Sequence, residues 1–198
     1  MDPIRTRQAQ GTTLINAQKI HDVKYATKLL PTGVLASSLD FFTSAPLADV
    51  TYDNYANGGN LVDSGKEFTI YQVGVQLTIG TTPTIADYDL IIGRCVLALS
   101  TAQKEYGRFP ILLLPSGGGL AVQGSQVGVA GTAVQGVTNG MPTRNGMFKL
   151  AAPLIIGANQ SFKATLYAPN AVGFPAITLT GTTYIRILLD GVEQRAAA

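Results

Sequence analysis

Charge is what this chain has least of. Lys, Arg, Asp and Glu together make up 13% of its 198 residues, against about 25% in an average soluble protein. A monomer kept in solution by mutual repulsion is normally coated with those four residue types. Here Thr, Ser, Asn, Gln and Gly take their place. Such a neutral polar coat repels neighbours weakly and loses little hydration when covered. It suits subunits that pack side by side, and some secreted β-proteins share it. The formal charge of +2 is too small for the body of the domain to hold nucleic acid by charge alone.

Other shortages exclude whole chemistries. A single cysteine, Cys95, rules out a disulfide within the chain, and its place in an alternating apolar run makes it a small buried hydrophobe. His21 is the only histidine. One His and one Cys close off the usual zinc sites. A nucleophile–histidine device would have to be built on a polar N-terminal segment, and no spacing supports it. Tryptophan is absent, so a carbohydrate platform would fall to tyrosines such as Tyr52, Tyr55 and Tyr88, whose commoner role is packing. Asp49, Asp53 and Asp63, or Asp87 and Asp89, lack the spacing of a calcium loop and read as turn and capping residues. Pro115-Ser116-Gly117-Gly118-Gly119 has neither the Lys-Ser/Thr ending nor the following helix of a phosphate loop. No run reaches the length of about eighteen apolar residues needed to span a bilayer; the longest, residues 90–99, is broken by Arg94. The first residues carry no apolar signal core. The expectation is a protein made in a cytoplasm, without catalytic residues, cofactor or metal, and not integral to a membrane.

What remains is a pattern of short strands. Residues 1–33 form a polar, weakly periodic arm, either extended or a short helix over residues 16–30 with Ile20, Val23 and Thr27 on one side. Residues 34–198 read as one domain. Residues 67–79 are the clearest strand, with Tyr71, Val73, Val75, Leu77 and Ile79 on one phase. Phe68 and Ile70 fall on the other phase, so a β-bulge is expected near Ile70 and Tyr71. Thr84 can cap a short helix through Ile92, with Asp87 at its positive end. Cys95, Leu97 and Leu99 alternate outside it. Short strands follow at 109–114, 148–150, 154–156, 162–167, 177–180 and 184–189, with Asp190-Gly191 read as a closing turn. Residues 117–140 hold eight glycines and read as a long Gly-rich loop, projecting or lying across a neighbour. About eight short strands separated by turn clusters point to an all-β fold, a β-sandwich of jelly-roll type, with a barrel as competitor.

Three segments carry a family resemblance: Gln103-Lys104-Glu105-Tyr106-Gly107-Arg108-Phe109-Pro110, continuing through Leu113-Leu114-Pro115-Ser116-Gly117-Gly118; Asn159-Gln160-Ser161-Phe162; and Leu188-Leu189-Asp190-Gly191-Val192-Glu193-Gln194-Arg195. Together they resemble the jelly-roll structural proteins of icosahedral bacterial viruses, over roughly the last hundred residues. The resemblance implies a β-sandwich subunit of the virion, self-assembly by symmetry in the host cytoplasm, and no enzymatic site. It supplies no family-defined binding residues.

The expected function is therefore a capsid subunit whose partners are copies of itself and other virion proteins. Arg94, Arg108, Arg186 and Arg195 are the candidate inter-subunit contacts, since Arg is favoured at interfaces. Arg5, Arg7, Lys19, Lys24 and Lys28 face only Asp2 and Asp22 across the first thirty residues. That excess of about +3 offers weak contact with neighbouring subunits, with packaged nucleic acid or with an internal membrane surface. The rival readings are a phage spike, adhesion or decoration module forming a small oligomer, and a β-sandwich glycosidase working through paired carboxylates.

Overall fold

The computed structural model describes residues 17–43, 62–81, 83–101, 104–114, 121–126, 133–138, 146–170 and 175–196. They form twelve strands: β1 (Ala17–Leu30), β2 (Gly33–Val34), β3 (Ser38–Phe41), β4 (Lys66–Ile79), β5 (Val96–Thr101), β6 (Lys104–Pro110), β7 (Ala121–Gln126), β8 (Ala133–Thr138), β9 (Phe148–Ile156), β10 (Phe162–Tyr167), β11 (Thr178–Leu179) and β12 (Thr183–Ala196). One α-helix, α1 (Ile85–Arg94), lies between β4 and β5, and a 3-10 turn (Ile111–Leu113) follows β6. Two four-stranded sheets carry the architecture, in the orders β1-β12-β4-β9 and β3-β10-β5-β6. All their pairings are antiparallel. Two small pairs, β2-β11 and β7-β8, complete the set. The chain is all-β, as expected.

β4 shows how the sequence makes this sheet. Its apolar residues change phase midway, and the register changes with them. Ile70 is opposite Gly191 on β12 while Gln72 is opposite Asp190, so Tyr71 is skipped. On the other side Ile70 faces Leu154 and Gln72 faces Lys149, so residues 150–153 of β9 arch past the same point. The skip brings Phe68 and Ile70 onto the same buried face as Val73, Val75 and Leu77. The expected bulge is thus present, but Tyr71, assigned by alternation to the Val73 face, is itself exposed.

One open alternative is decided and three expectations are overturned. Of the extended and helical readings before Pro31 the extended one holds: β1 is a strand paired with β12 along its whole length, from Ala17–Ala196 to Leu30–Thr183. A weak helical face cannot compete with a fourteen-residue ladder that satisfies the backbone and buries Ala26 and Leu30. Asp190-Gly191 is not a turn. β12 runs straight through it, and Gly191 is needed because a Cβ there would sit 2.2 Å from the Thr69 carbonyl oxygen and 3.0 Å from the Phe68 ring. The apolar segment 109–114 is a strand end followed by the 3-10 turn, which turns aside so that the Leu114 carbonyl accepts the Val75 N–H at 2.9 Å. That bond occupies β4 beyond the end of its ladder with β9. Finally, residues 117–140 are not loop throughout, since β7 and β8 lie within them. Ala-Val-Gln-Gly occurs in both strands, at 121–124 and 133–136, and the glycines mask that signal.

Side chains from both sheets meet in one buried cluster. Phe109 on β6 packs against Phe148 on β9, ring centroids 5.3 Å apart, and ties the two layers at one edge. At the other edge the Lys28 ammonium lies 5.8 Å above the Phe41 ring, its stem lying along apolar surface while its head reaches out. α1 is fixed at its N-terminus by the expected Thr84 cap. The Thr84 hydroxyl accepts the Asp87 N–H, and Asp87 Oδ2 accepts the Thr84 N–H at 2.8 Å. Asp87 does more than cap. Its carboxylate also accepts the Thr180 N–H, the Thr180 hydroxyl and the Gly181 N–H at 2.8, 2.6 and 3.2 Å, joining α1 to the connection between β11 and β12. Burial alone pushes this carboxyl up, but the hydrogen bonds from Thr180 and Thr84 outweigh it and hold it below the ordinary value of 3.8.

Two outcomes follow. Gly191→Ala forces a methyl against backbone and is expected to cost about 2 kcal/mol, a fall in Tm of roughly 4–8 °C; a variant melting with the wild type would refute the close-approach account. Asp87→Asn turns an amide group toward convergent N–H donors and is expected to cost about 3 kcal/mol at pH 7. A group with a depressed folded-state pKa stabilises above its unfolded value and loses that contribution as pH falls through the folded one. The gap between wild type and Asp87→Asn in urea melts should therefore close below about pH 4, near the ordinary carboxyl value, and a constant gap would contradict the carboxylate's role.

Candidate functional site

The two outward sheet faces differ in degree. On the β3-β10-β5-β6 sheet most outward positions are short or internally paired, with Tyr167 and, at the β5–β6 register shift, Tyr106 exposed among them. Ala98 and Thr165 are buried by their neighbours. Asp40 accepts the Thr165 hydroxyl at 2.5 Å and lies 3.5 Å from the Lys163 ammonium. Arg108 makes a two-pronged contact with Glu105, at 2.8 and 3.2 Å, and its guanidinium lies 5.1 Å from the Tyr167 ring centroid.

The outward face of the β1-β12-β4-β9 sheet instead carries large uncharged side chains. Register fixes the rows. Leu29 lies beside Tyr184 and Thr78, Tyr25 beside Leu188 and Gly74, and His21 beside Val192 and Thr69. Ile155 on β9 extends the last row. Leu29, Tyr184 and Ile155 are each more than 40% exposed. An antiparallel sheet with one face in the core normally turns a polar face to water. Here β12 is apolar on both phases, with Ile185, Ile187 and Leu189 inward and Tyr184, Leu188 and Val192 outward. That doubled pattern, Tyr-Ile-Arg-Ile-Leu-Leu, is a signal in the sequence that could have pointed to this face, and alternation on a single phase overlooked it.

The polar groups on the face are spread across strands. Arg186 Nε donates to the Thr27 hydroxyl at 2.9 Å and Nη1 to Gln76 Oε1 at 3.2 Å, with the guanidinium 5.3 Å from the Tyr25 ring centroid. His21 Nε2 meets Asp190 Oδ1 at 2.5 Å. Arg186 and Asp190 are two residues to either side of Leu188, with side chains on the same side of the strand.

Of the four candidate arginines, Arg186 alone is placed on this face. Arg94 ends α1 and donates to the Pro175 carbonyl oxygen at 2.5 Å. Arg108 belongs to the other sheet. Arg195 donates to Gln18 Oε1 at 3.2 Å near the end of the β1–β12 ladder. The candidate arm is divided too: Arg5 and Arg7 lie outside the described residues, while Lys19, Lys24 and Lys28 are on β1. Lys24 is turned toward the core side. It bonds Asp22 at 2.8 Å, lies 3.5 Å from Glu193 and sits 4.9 Å above the Phe68 ring. Glu193 continues the chain of charges to Lys66 at 3.4 Å, and Lys66 to Asp63 at 2.8 Å. The hydrogen bond that Lys66 donates to Asp63 raises its pKa against the opposing effect of desolvation, with Glu193 adding to it. Lys24 is thus compensated within the molecule, unlike a lysine of a phosphate-binding arm. Its alternation along a strand, invisible while the segment was read as an arm, explains why.

Cys95 is buried, and desolvation, opposed weakly by Arg94, pushes its thiol up to about 12, so it is protonated and unreactive at neutral pH. Among the described residues no group of three or more His, Cys, Asp and Glu is arranged to hold a metal, and no helix is long and apolar enough to cross a membrane. No protein-family model and no curated protein matches the chain.

The charge chain yields its own expected outcome. Lys24→Met leaves Asp22 and Glu193 short of a partner and should lower stability by about 1–2 kcal/mol. Retention of a labelled single-stranded oligonucleotide should be unchanged. Weakened oligonucleotide binding with stability intact would restore Lys24 to a phosphate-contact role.

Proposed function

We propose that this protein is a structural subunit of a bacterial virus, a capsid protein built on a jelly roll that assembles with copies of itself into an icosahedral shell. The observation that carries the reading is the strand order. Taking only the eight strands of the two large sheets, in chain order, the first pairs with the eighth, the second with the seventh, the third with the sixth and the fourth with the fifth. The eighth then pairs with the third, and the seventh with the fourth. This nesting is what results when one long antiparallel ribbon of paired strands is rolled into two facing sheets, the arrangement of jelly rolls.

That architecture also hosts lectins and cupins, and a fold alone does not assign a function. Composition tips the balance. Low charge and a largely uncharged outward sheet face favour a subunit designed to be covered. Adjacent Leu112 and Leu113, 68% and 52% exposed, add an apolar corner. Assembly then draws on many modest contacts repeated by symmetry.

Purified protein viewed by negative-stain electron microscopy and sized by analytical ultracentrifugation should form closed shells or regular sheets. Stable trimers without larger particles would favour the spike or decoration reading. A strict monomer at millimolar concentration would overturn both.

A further inference from the structure

We propose that two copies of this chain pack face to face through the outward side of the β1-β12-β4-β9 sheet, about a two-fold axis running across the strands at Leu188. The inference rests on the self-assembling reading above and names the contact within it.

The case is one of self-complementarity. Residues i and i+2 share a face and rise about 3.3 Å each along a strand, so Arg186 and Asp190 lie roughly 7 Å to either side of Leu188. A two-fold axis across the strands reverses strand direction while keeping β12 over β12. Arg186 then faces Asp190 of the second copy, and Asp190 faces Arg186 of the second copy, giving two ion pairs from one operation. One row further out, Tyr184 meets Val192 of the second copy at both ends. On the axis, Leu188 meets its own counterpart next to Gly74, which has no side chain to crowd it.

The charges also fix where the axis lies. Moved one row to Arg186, it stacks guanidinium on guanidinium; moved to Asp190, it stacks carboxylate on carboxylate. Placed at Leu188, it cancels both. This is the isologous logic of a two-fold interface, in which each unlike contact occurs twice. The existing bonds do not compete: a guanidinium has five donors, so its contacts to Thr27 and Gln76 hold it in place, and His21 engages Oδ1 of Asp190, leaving Oδ2 to accept from the second copy. Ten residues of strand length across β1, β12 and β4, the three strands that span these rows at about 4.8 Å spacing, give roughly 475 Å² per copy, or about 950 Å² in total. That is below the usual size of a stable two-protein interface, so the contact is a weak one, suited to be multiplied within a larger assembly.

The test is charge exchange. Arg186→Asp and Asp190→Arg are purified separately, checked for folding by circular dichroism, and followed by sedimentation alone and mixed. Each alone places two like-charge contacts in the interface and should dimerise roughly 100-fold more weakly than the wild type. Mixed one to one, the two variants regain opposite charges at both contacts and should form a heterodimer of near wild-type affinity. Leu188→Glu is the second probe, since it leaves the Arg186 bonds intact and sets two carboxylates on the axis. It should abolish pairing even if Arg186→Asp proves unstable. Variants that assemble like the wild type, or a mixture that fails to recover, would overturn this interface while leaving self-assembly standing. A wild type that never associates would overturn the assembly reading as well.

Discussion

The structure depends on β12 being paired along both sides. Its fourteen residues hold β1 on one flank and β4 on the other, so the large sheet exists only if both ladders keep step. They cannot do so as ideal strands, because the apolar residues of β4 change phase at Ile70. One skipped residue, Tyr71, absorbs the mismatch, and one glycine, Gly191, lets the backbones approach where it is absorbed. Everything inward of that point, from Phe68 to Leu77, owes its burial to the skip.

Those features were unequally legible in the sequence. The phase change of β4 could be read directly, since Phe68 and Ile70 against Val73 and Val75 allow few other solutions. The helix cap was equally plain, because Thr84 and Asp87 act on their own backbone and need no distant partner. Gly191 was misread for the opposite reason: Asp-Gly is a turn signal locally, and only the Thr69 carbonyl across the ladder gives the glycine its other use. β1 was left undecided between extended and helical for a similar reason. Its residues are poor in local preference, and its strand is imposed by β12, more than 150 residues away. β7 and β8 were lost among glycines.

The candidate surface was harder still. Arg186 was picked for its residue type, yet what defines the face is the company of Tyr25, Leu188 and Tyr184, which share it only through register. Low overall charge is a property of the whole chain and singles out no face. The rows of Tyr25, Leu29, Tyr184 and Leu188 on the large sheet emerge only once register is known.

A sheet apolar on both sides creates a difficulty of its own. Slipping one strand by a residue normally drives the core set into water and is heavily penalised. Here a slip of β1 would exchange Ala26 and Leu30 for Tyr25 and Leu29, a weak hydrophobic penalty. Other groups must hold the register, and they are the polar ones. Lys24 reaches Glu193 on the inward side only in the observed alignment, and Thr27 lines up with Arg186 and Gln76 across three strands on the outward side. A slip would carry Lys24 to the apolar outward face and part it from Glu193. The few charges this chain has in its large sheet thus specify pairing more than they add stability, which reconciles a surface poor in charge with charges kept at the inner end of the same sheet.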